Sequence, residues 1–556
     1  MISGSVKFFA ASSALTISQK SKPKIANNFI NLEFTMLLRY ILILDIFSRE
    51  YRFMLTTENA SRVVLWTLLI TFVIKISLSQ IIPVTGDEAY YAIWGIFPAW
   101  GGYDHTPFIG WLLYPFLLIS KNPIILRLPM VLTTTLIGWI LYGFLKTEDK
   151  TKAAWASIIF LISPLSLCAV LVTTDTPVIL FSFLSGICVL QALRKNDHPG
   201  WFALGGLCLG LAFFSKYFAV LLALSYFIYF IFISPSRKRL LGLLILLLSV
   251  LPFGLENLYW NYTHAWANIL FNVINRNVTD HFGIGTVITY ILTLFYIFTP
   301  PIFYYLIKHK NNLFEKKALN CFIIIPLIFF LLLSTRKEIG MHWPLSFITF
   351  AYLWAGIYLS TQELKKTAKF LLWFTGAHLL LIFIIILMPM SVIQKLPLSD
   401  KLYTKLVYFF EHKQIRDYLN QYNKDYVFTS LDYVQADMMF YDSGFYSPTF
   451  GKGDVHGRQD DLITDFKKYD HKNFLIFYSR RPRVDEYQPY FASTEVKSFE
   501  LDGTAFYYVL GQDFNYPVYR NTVLKYINDT YWQIPAWLLH KPSFFCERYF
   551  KESGCK

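Results

Sequence analysis

RVVLWTLLITFVIKISLSQII (62–82), followed closely by GDEAYYAIWGIFPAWGGYDHTPFIGW (86–111), decides how the whole chain is read. The first stretch is mostly apolar and about as long as the roughly 20 residues a bilayer crossing needs. The second crowds Asp87, Glu88, Asp104 and His105 into the loop at its end. Further apolar runs lie near 127–145, 153–171, 176–193, 201–216, 218–234, 239–257, 285–307, 318–334, 342–360 and 368–390. With 62–82 they predict eleven spans. Residues 108–120 are too short to cross and read as a helix lying in the interface, with Trp111 and Tyr114 at headgroup level.

Composition agrees. Of 556 residues, 55% are apolar, 19% aromatic and only 16% charged, against about 25% charged in soluble proteins. A disordered chain, a coiled coil and a simple cytosolic enzyme are excluded. The net charge of +14 is unevenly spread. It collects at Lys146, Lys150 and Lys152, at Arg194 and Lys195, at Arg237, Lys238 and Arg239, at Lys308, Lys310, Lys316 and Lys317, and at Lys365, Lys366 and Lys369. By the positive-inside rule these loops are cytoplasmic, and the excess reflects topology rather than nucleic-acid binding. The loops 83–107, 172–176, 258–284 and 335–342 then face outside. Eleven spans place the N terminus inside and everything after 391 outside.

Residues 1–20 lack a strong signal-peptide core, and 36–48 carries Arg39 and Asp45 inside a weakly apolar stretch. The reading places the translation start at Met54. It gives an N-terminal extension over 1–53, a transmembrane domain over 54–397 and an extracytoplasmic α/β domain with its tail over 398–556. In that domain NFLIFYS (473–479) and AFYYVLG (505–511) read as buried strands and GRQDDLITDFKKY (457–469) as a helix. The aromatic stretch 513–556 is expected to pack back on the domain. Cys168, Cys188, Cys208 and Cys321 fall in apolar runs and read as packing residues, whereas Cys546 and Cys555 are placed to pair outside the cytoplasm.

Charges at membrane depth are costly, so acids there are functional candidates. Asp87 and Glu88 open a short helix, where acids also serve as caps. Asp104 and His105 follow in the same loop, beside Pro107. Asp175, in TTDTPV (173–178), fits a helix cap at Pro177 and also lies on the same outer face. Lys216, in FFSKYF (213–218), opposes the charge bias of its side; it fits either snorkelling or an anion ligand such as a lipid phosphate. WNYTHAW (260–266) and RKEIGMHWP (336–344) add Asn261, His264, Arg336, Lys337 and His342. Each histidine fits a ligand, a base or an interfacial anchor. The sequence requires no cofactor. A divalent metal is chemically open, with Asp104 and His264 as candidate ligands, although no tight metal spacing such as HExxH occurs. A Walker loop, a Rossmann glycine pattern and a GxSxG elbow are all missing.

DEAYY (87–91), YDHTPFIGW (103–111), RLP (127–129), TTDTP (173–177), LGLAFFSKY (209–217), WNYTHAW (260–266) and KEIGMHWP (337–344) occur in that order. Together they resemble the bacterial branch of the glycosyltransferase family that contains protein O-mannosyltransferases and the aminoarabinose transferases of lipid A. The resemblance spans roughly 60–360. It implies a GT-C membrane fold of about 11–13 helices and a sugar donor linked to polyprenyl phosphate. It also implies action at the outer face of a bacterial inner membrane. Asp87 matches the family's acid/base residue, Asp104 and His105 the pair in the first outer loop, Asp175 the acid of the second, and Lys216 a lysine associated with donor phosphate. The chain departs from the pattern at Thr106-Pro107, where Pro-Pro is usual, and at Tyr90, where the aminoarabinose transferases have arginine.

These matches imply an inverting glycosyltransferase acting on lipid A or another envelope glycan, with protein O-mannosylation as the alternative. Asp87 and Asp175 are expected in catalysis. Glu88, Asp104, His105, Lys216, Asn261, His264, Arg336, Lys337 and His342 are expected in donor-phosphate and substrate binding. The expected partners are the lipid-linked donor, a lipid or protein acceptor and membrane lipids. A transporter would also have many spans, but its charges would sit near the midplane of two similar halves. Here they cluster at one face. A non-catalytic scaffold leaves the interfacial acids unexplained.

Overall fold

The computed structural model describes residues 15–16, 55–275, 283–315, 317–539 and 541–555. The extension expected over 1–53 and the start expected at Met54 lie outside the described residues, apart from Leu15–Thr16. The chain divides into two compact units. One runs to Ile386 and takes in Leu539–Lys541; the other holds Leu387–Leu538 and Pro542–Lys556.

The first unit is a multi-pass helical membrane bundle. Its helices are α1 (Ala60–Ile81), α2 (Gly86–Ile96), α3 (Phe108–Leu117), α4 (Pro123–Leu145), α5 (Lys150–Leu161), α6 (Asp175–Arg194) and α7 (Pro199–Ser215). They continue as α8 (Tyr217–Ile233), α9 (Arg237–Thr263), α10 (Ala267–Val273), α11 (Ile284–Ile297), α12 (Pro300–Lys308), α13 (Ala318–Ser334), α14 (Leu345–Tyr358) and α15 (Thr361–Leu387). Among the described residues, α1, α4, α6, α9 and α15 are long and apolar enough to cross a membrane alone, and the bent pair α11–α12 makes a sixth. The remaining apolar runs form shorter helices.

Local sequence sets the helix starts. Asn122 accepts from the Ile124 N–H just before Pro123, and Asp149 accepts from the Thr151 and Lys152 N–H groups. Proline explains two departures from the expected spans. The run 285–307 is not one straight helix: α11 and α12 meet at 103°, where Thr299 has φ 64° and Pro300-Pro301 follow. A proline has no N–H for the preceding turn, so the helix restarts in a new direction. Likewise 153–171 stops at Leu161, and Pro164 opens a separate turn, Pro164–Leu167.

Lipid-facing and packed surfaces separate by helical period. On α9, Leu241, Leu244, Leu248, Leu251 and Leu255 form an exposed apolar stripe. Inside, Phe347, Phe350, Tyr352 and Trp354 of α14 are fully buried in the main core. Lys75 of α1 is also fully buried. Its ammonium donates to the hydroxyls of Thr134 (3.0 Å), Thr135 (2.9 Å) and Ser166 (3.5 Å), which uses all three of its donors.

The second unit begins with α16 (Asp400–Leu419) and is built on a five-stranded sheet. The strands are β1 (Leu15–Thr16), β2 (Val427–Ser430), β3 (Phe474–Tyr478), β4 (Phe491–Leu501) and β5 (Thr504–Phe514), in the order β1-β4-β5-β3-β2. β2 and β3 run parallel, joined through α17 (Tyr433–Ser443), while β4 and β5 form an antiparallel hairpin. β3 and β5 are the two expected strands, and β3 is buried throughout, as its continuous apolar run implies.

Residues 457–469 differ from expectation. They form a short helix, Asp460–Ile463, and a 3₁₀ turn, Phe466–Tyr469, rather than one helix. Arg548 of the tail donates to the carbonyls of Asp461, Leu462 and Thr464, which diverts them from a continuing helix. The tail thus packs on its own unit, as expected, and Cys546 is disulfide-bonded to Cys555.

Candidate functional site

The site begins with a helix start. Thr85 caps α2: its hydroxyl accepts from the Glu88 N–H, and the Glu88 carboxylate accepts from the Thr85 N–H. Glu88 does far more than cap. It is fully buried, and Arg127 donates to both of its oxygens, Nε at 2.7 Å and Nη2 at 2.6 Å. The Val172 N–H also donates to it, at 3.0 Å. Arg127 uses its remaining donors on the carbonyls of Ser79, Ile82 and Pro83. One buried ion pair therefore ties the end of α1, the start of α2, α4 and the loop entering α6. Glu88, expected to bind substrate, is committed to this framework.

Asp87, its neighbour, is exposed. Partial burial of its carboxyl raises the pKa, with the nearby charges of Glu88 and Asp104 adding and that of His105 opposing. Asp87 is thus within electrostatic reach of Asp104 and His105. One helical turn on, Tyr91 lies on the same face. Its hydroxyl is 3.2 Å from His105 Nε2, and the negative charges of Asp104, Asp175 and Asp87 all act on it. Burial, reinforced by those charges, holds the phenol well above its usual pKa. Tyr91 therefore contacts His105 and lies within electrostatic reach of the three acids.

The loop bearing Asp104 and His105 is held on two sides. From α2, the Tyr90 hydroxyl donates to Asp104 Oδ1 at 2.7 Å. From α10, Asn268 donates to the carbonyls of Gly102, Tyr103 and His105, and Asn272 donates to that of Asp104. The glycines before it permit close packing: a Cβ on Gly101 would run into the Trp260 indole, and one on Gly102 into Trp94.

Asp175 is the first residue of α6, and its carboxylate does not cap that helix. Lys216 leaves α7 in extended conformation, which carries its ammonium across to Asp175 Oδ1 at 2.7 Å. Both side chains remain slightly accessible, at 14% and 12%. Lys216 also lies 5.8 Å from the Phe218 ring centre. Phe218 packs on Trp343 at 4.8 Å, and Lys337 lies 5.2 Å from the Trp343 ring. An aromatic pair thus separates two cations on one side of the site.

The other candidates are placed differently. Asn261 is buried, donates to the Asn257 carbonyl and accepts from the Ile269 N–H, so it shapes the turn into α10. His264 stacks on Trp260 at 4.3 Å with its Nδ1 2.9 Å from the Trp260 carbonyl, and burial lowers its pKa. Arg336 and His342 are exposed. Among the described residues no three His, Cys, Asp or Glu side chains gather as a metal ligand set. Asp104 and His264, the candidate ligands, are engaged by Tyr90 and by Trp260.

Several supporting residues are not among the expected site residues, although Tyr91 and Arg127 lie in the quoted motifs DEAYY and RLP. A cation at the head of an apolar run marks Arg127. Its spacing of four from Asp87 marks Tyr91. Asn268 and Asn272 carry no signal of their own, because their role depends on a loop 160 or more positions away.

Residues 104–260 match the family profile described as dolichyl-phosphate-mannose-protein mannosyltransferase. The fold is similar to that of ArnT from Cupriavidus metallidurans in the apo state, with a TM-score of 0.57, 12% identity, and 81% of this chain and 98% of that one covered. It is similar also to the same protein bound to undecaprenyl phosphate, with a TM-score of 0.55, 14% identity, and 80% and 97% covered. No curated protein matches the chain by sequence. The fold is that of ArnT.

Proposed function

We propose that this chain, a polytopic glycosyltransferase, moves a sugar from polyprenyl phosphate to lipid A or another envelope glycan at the periplasmic face of a bacterial inner membrane. The carrying observation is the grouping of Asp87, Asp104, His105, Tyr91 and the Asp175–Lys216 pair on a framework fixed by Glu88 and Arg127. The lysine-rich loops support the orientation. The undecaprenyl phosphate held by the similar ArnT supports the donor class.

The chemistry follows from the donor. A sugar on a phosphate already carries its leaving group. An acceptor oxygen attacks the anomeric carbon from the face opposite the phosphate. The new carbon–oxygen bond forms as the old one breaks, with inversion, and polyprenyl phosphate departs. Where the acceptor is a hydroxyl, its proton passes to Asp87, whose raised pKa improves it as a base. Where it is a lipid phosphate, the nucleophile is already an anion and Asp87 orients it. Lys216 stabilises charge growing on the departing phosphate, with Lys337 behind the Phe218–Trp343 pair. Asp175 holds the Lys216 ammonium in position. Asp104, Tyr91 and His105 bind sugar hydroxyls.

Protein hydroxyls form the second acceptor class, favoured by the description of the family matched over 104–260. Mass spectrometry of envelope lipids and of secreted proteins, from cells with and without the gene, separates the two. A sugar lost from lipid supports the first acceptor, and one lost from protein the second. Unchanged lipids and proteins, together with no donor turnover by the purified protein, would remove the transferase reading.

A further inference from the structure

The elbow between α11 and α12, bent by 103°, stands against α13 with a crevice of about 480 Å³ between them. Its floor is buried, at Phe298, Leu306 and Ile323. Its rim is open: Ile291, Ile307 and Ile328 are 47%, 59% and 50% exposed. Apolar helix faces exposed in this way at membrane depth meet lipid chains rather than water. The crevice is therefore a recess in the lipid-facing surface of the bundle. Two of its lining side chains are polar. Tyr290 is buried and donates its hydroxyl to the Leu327 carbonyl at 2.9 Å, so it offers a ligand nothing but ring surface. The other is Lys310.

Lys310 decides the class of lipid. The lysines on either side of it are paired, Lys308 with Glu363 at 2.8 Å and Lys317 with Glu315 at 2.6 Å. Lys310 is exposed and has no carboxylate partner among the described residues. Its place is fixed by Asn320, in the first turn of α13, which donates to the carbonyls of Asn312 and Glu315 at 2.8 and 2.9 Å. From there α13 rises about 25 Å over its 17 residues toward Lys337. Lys310 thus stands at the end of α13 away from the transfer site, where the membrane meets water. A cation at the mouth of an apolar recess complements an anionic headgroup whose hydrocarbon chain lies in that recess.

We propose that this recess is a phospholipid site, which takes one acyl chain of a lipid whose anionic phosphate headgroup pairs with Lys310. The site does not depend on the proposed transfer reaction.

The test is native mass spectrometry of the full-length protein, delipidated in detergent. The probes are dioleoyl phosphatidylglycerol, dioleoyl phosphatidylcholine, glycerol 3-phosphate and undecaprenyl phosphate. Phosphatidylglycerol is expected to bind about fivefold more tightly than phosphatidylcholine, the contribution of one lysine near an anionic lipid. Lys310→Ala should remove that preference and leave phosphatidylcholine binding unchanged. Lys366→Ala, at another exposed lysine outside the recess, should keep it. Ile324→Trp fills the recess and should weaken both phospholipids. Should that variant fail to fold, Lys310→Ala, at an exposed position, still decides. Glycerol 3-phosphate should not bind, and undecaprenyl phosphate should not displace phosphatidylglycerol. Equal binding of the two phospholipids, or a preference that survives Lys310→Ala, overturns the proposal. Binding of glycerol 3-phosphate as tight as that of phosphatidylglycerol overturns it too, by leaving the recess no part. Displacement by undecaprenyl phosphate would assign the recess to a polyprenyl chain, and a lipid-free dimer lost in Ile324→Trp would assign it to a second copy; either result overturns the proposal.

Discussion

Glu88 lies one peptide from Asp87 in the first turn of α2, yet its carboxylate is fully buried and accepts five hydrogen bonds while that of Asp87 reaches the surface. The pair divides structure from chemistry. Glu88→Gln leaves the Arg127 cation buried without its counter-charge, a loss of about 3–5 kcal/mol for a broken buried pair. It is expected to lower the melting temperature in detergent sharply. Asp87→Asn removes an exposed charge and is expected to change stability by no more than about 0.5 kcal/mol. It should cut transfer by about 10²–10⁴. Parallel melting and transfer assays check both, and full transfer by Asp87→Asn would end its assignment as the base.

The pH profile gives a second test. Burial raises the Asp87 pKa, and the positive charge of His105 opposes the rise. A base works ionised, so kcat/KM should fall on acidification, with its midpoint above the ordinary value of about 3.9. His105→Ala removes the opposing charge and should move that midpoint further up. A limb that ignores His105 would separate the two residues functionally. With a phosphate acceptor the limb no longer belongs to Asp87, and Asp87→Asn leaves its position unchanged.

Lys216 and Asp175 should separate kinetically. Lys216→Ala removes the cation facing the leaving phosphate and is expected to cut transfer by about 10²–10³, with the donor KM raised. Asp175→Asn keeps the ammonium and loosens its position, so the loss should be smaller. Lys216→Arg should recover part of the activity. Steady-state kinetics with varied donor decide. A larger loss for Asp175→Asn than for Lys216→Ala would make the aspartate the direct participant.

Much of this was legible in the sequence, and for a physical reason. Membrane helices must satisfy their backbone internally, so apolar runs alone mark them. The eleven runs all fall on helices, but among the described residues only five of those helices, or six with the bent pair, are long and apolar enough to cross alone. What the runs miss is length and direction: the 103° break at Thr299 is visible only as a Pro-Pro pair. Asp87, Asp104, Asp175 and Lys216 stood out because charges beside a membrane are costly. Cost alone does not divide framework from chemistry, and so Glu88 was read with them. Its role depends on Arg127, 39 positions away. Residues 457–469 show the same limit, since their helix is interrupted by Arg548, which no local pattern reveals.

Asp460 of the second unit offers a test free of the transfer chemistry. Its carboxyl is buried beside Asp461 and is pushed up to about 6, burial being the largest cause. Hydrogen bonds from Tyr446, Thr464 and the Thr449 N–H oppose the rise. A folded-state pKa above the unfolded one means that the fold favours the neutral acid. The stabilisation is complete below about 4, the unfolded value, and is lost as pH rises through about 6. The difference between about 4 and about 6 corresponds to at most about 3 kcal/mol. Amide exchange in β2 and β3, corrected for intrinsic rates, should therefore show greater protection at pH 5 than at pH 7.5. Asp460→Asn cannot ionise and should flatten that dependence, even though it weakens the bond from Thr449. Protection that does not change with pH in the unaltered protein, or that changes equally in the variant, would show that Asp460 is already neutral or already compensated at pH 7.5.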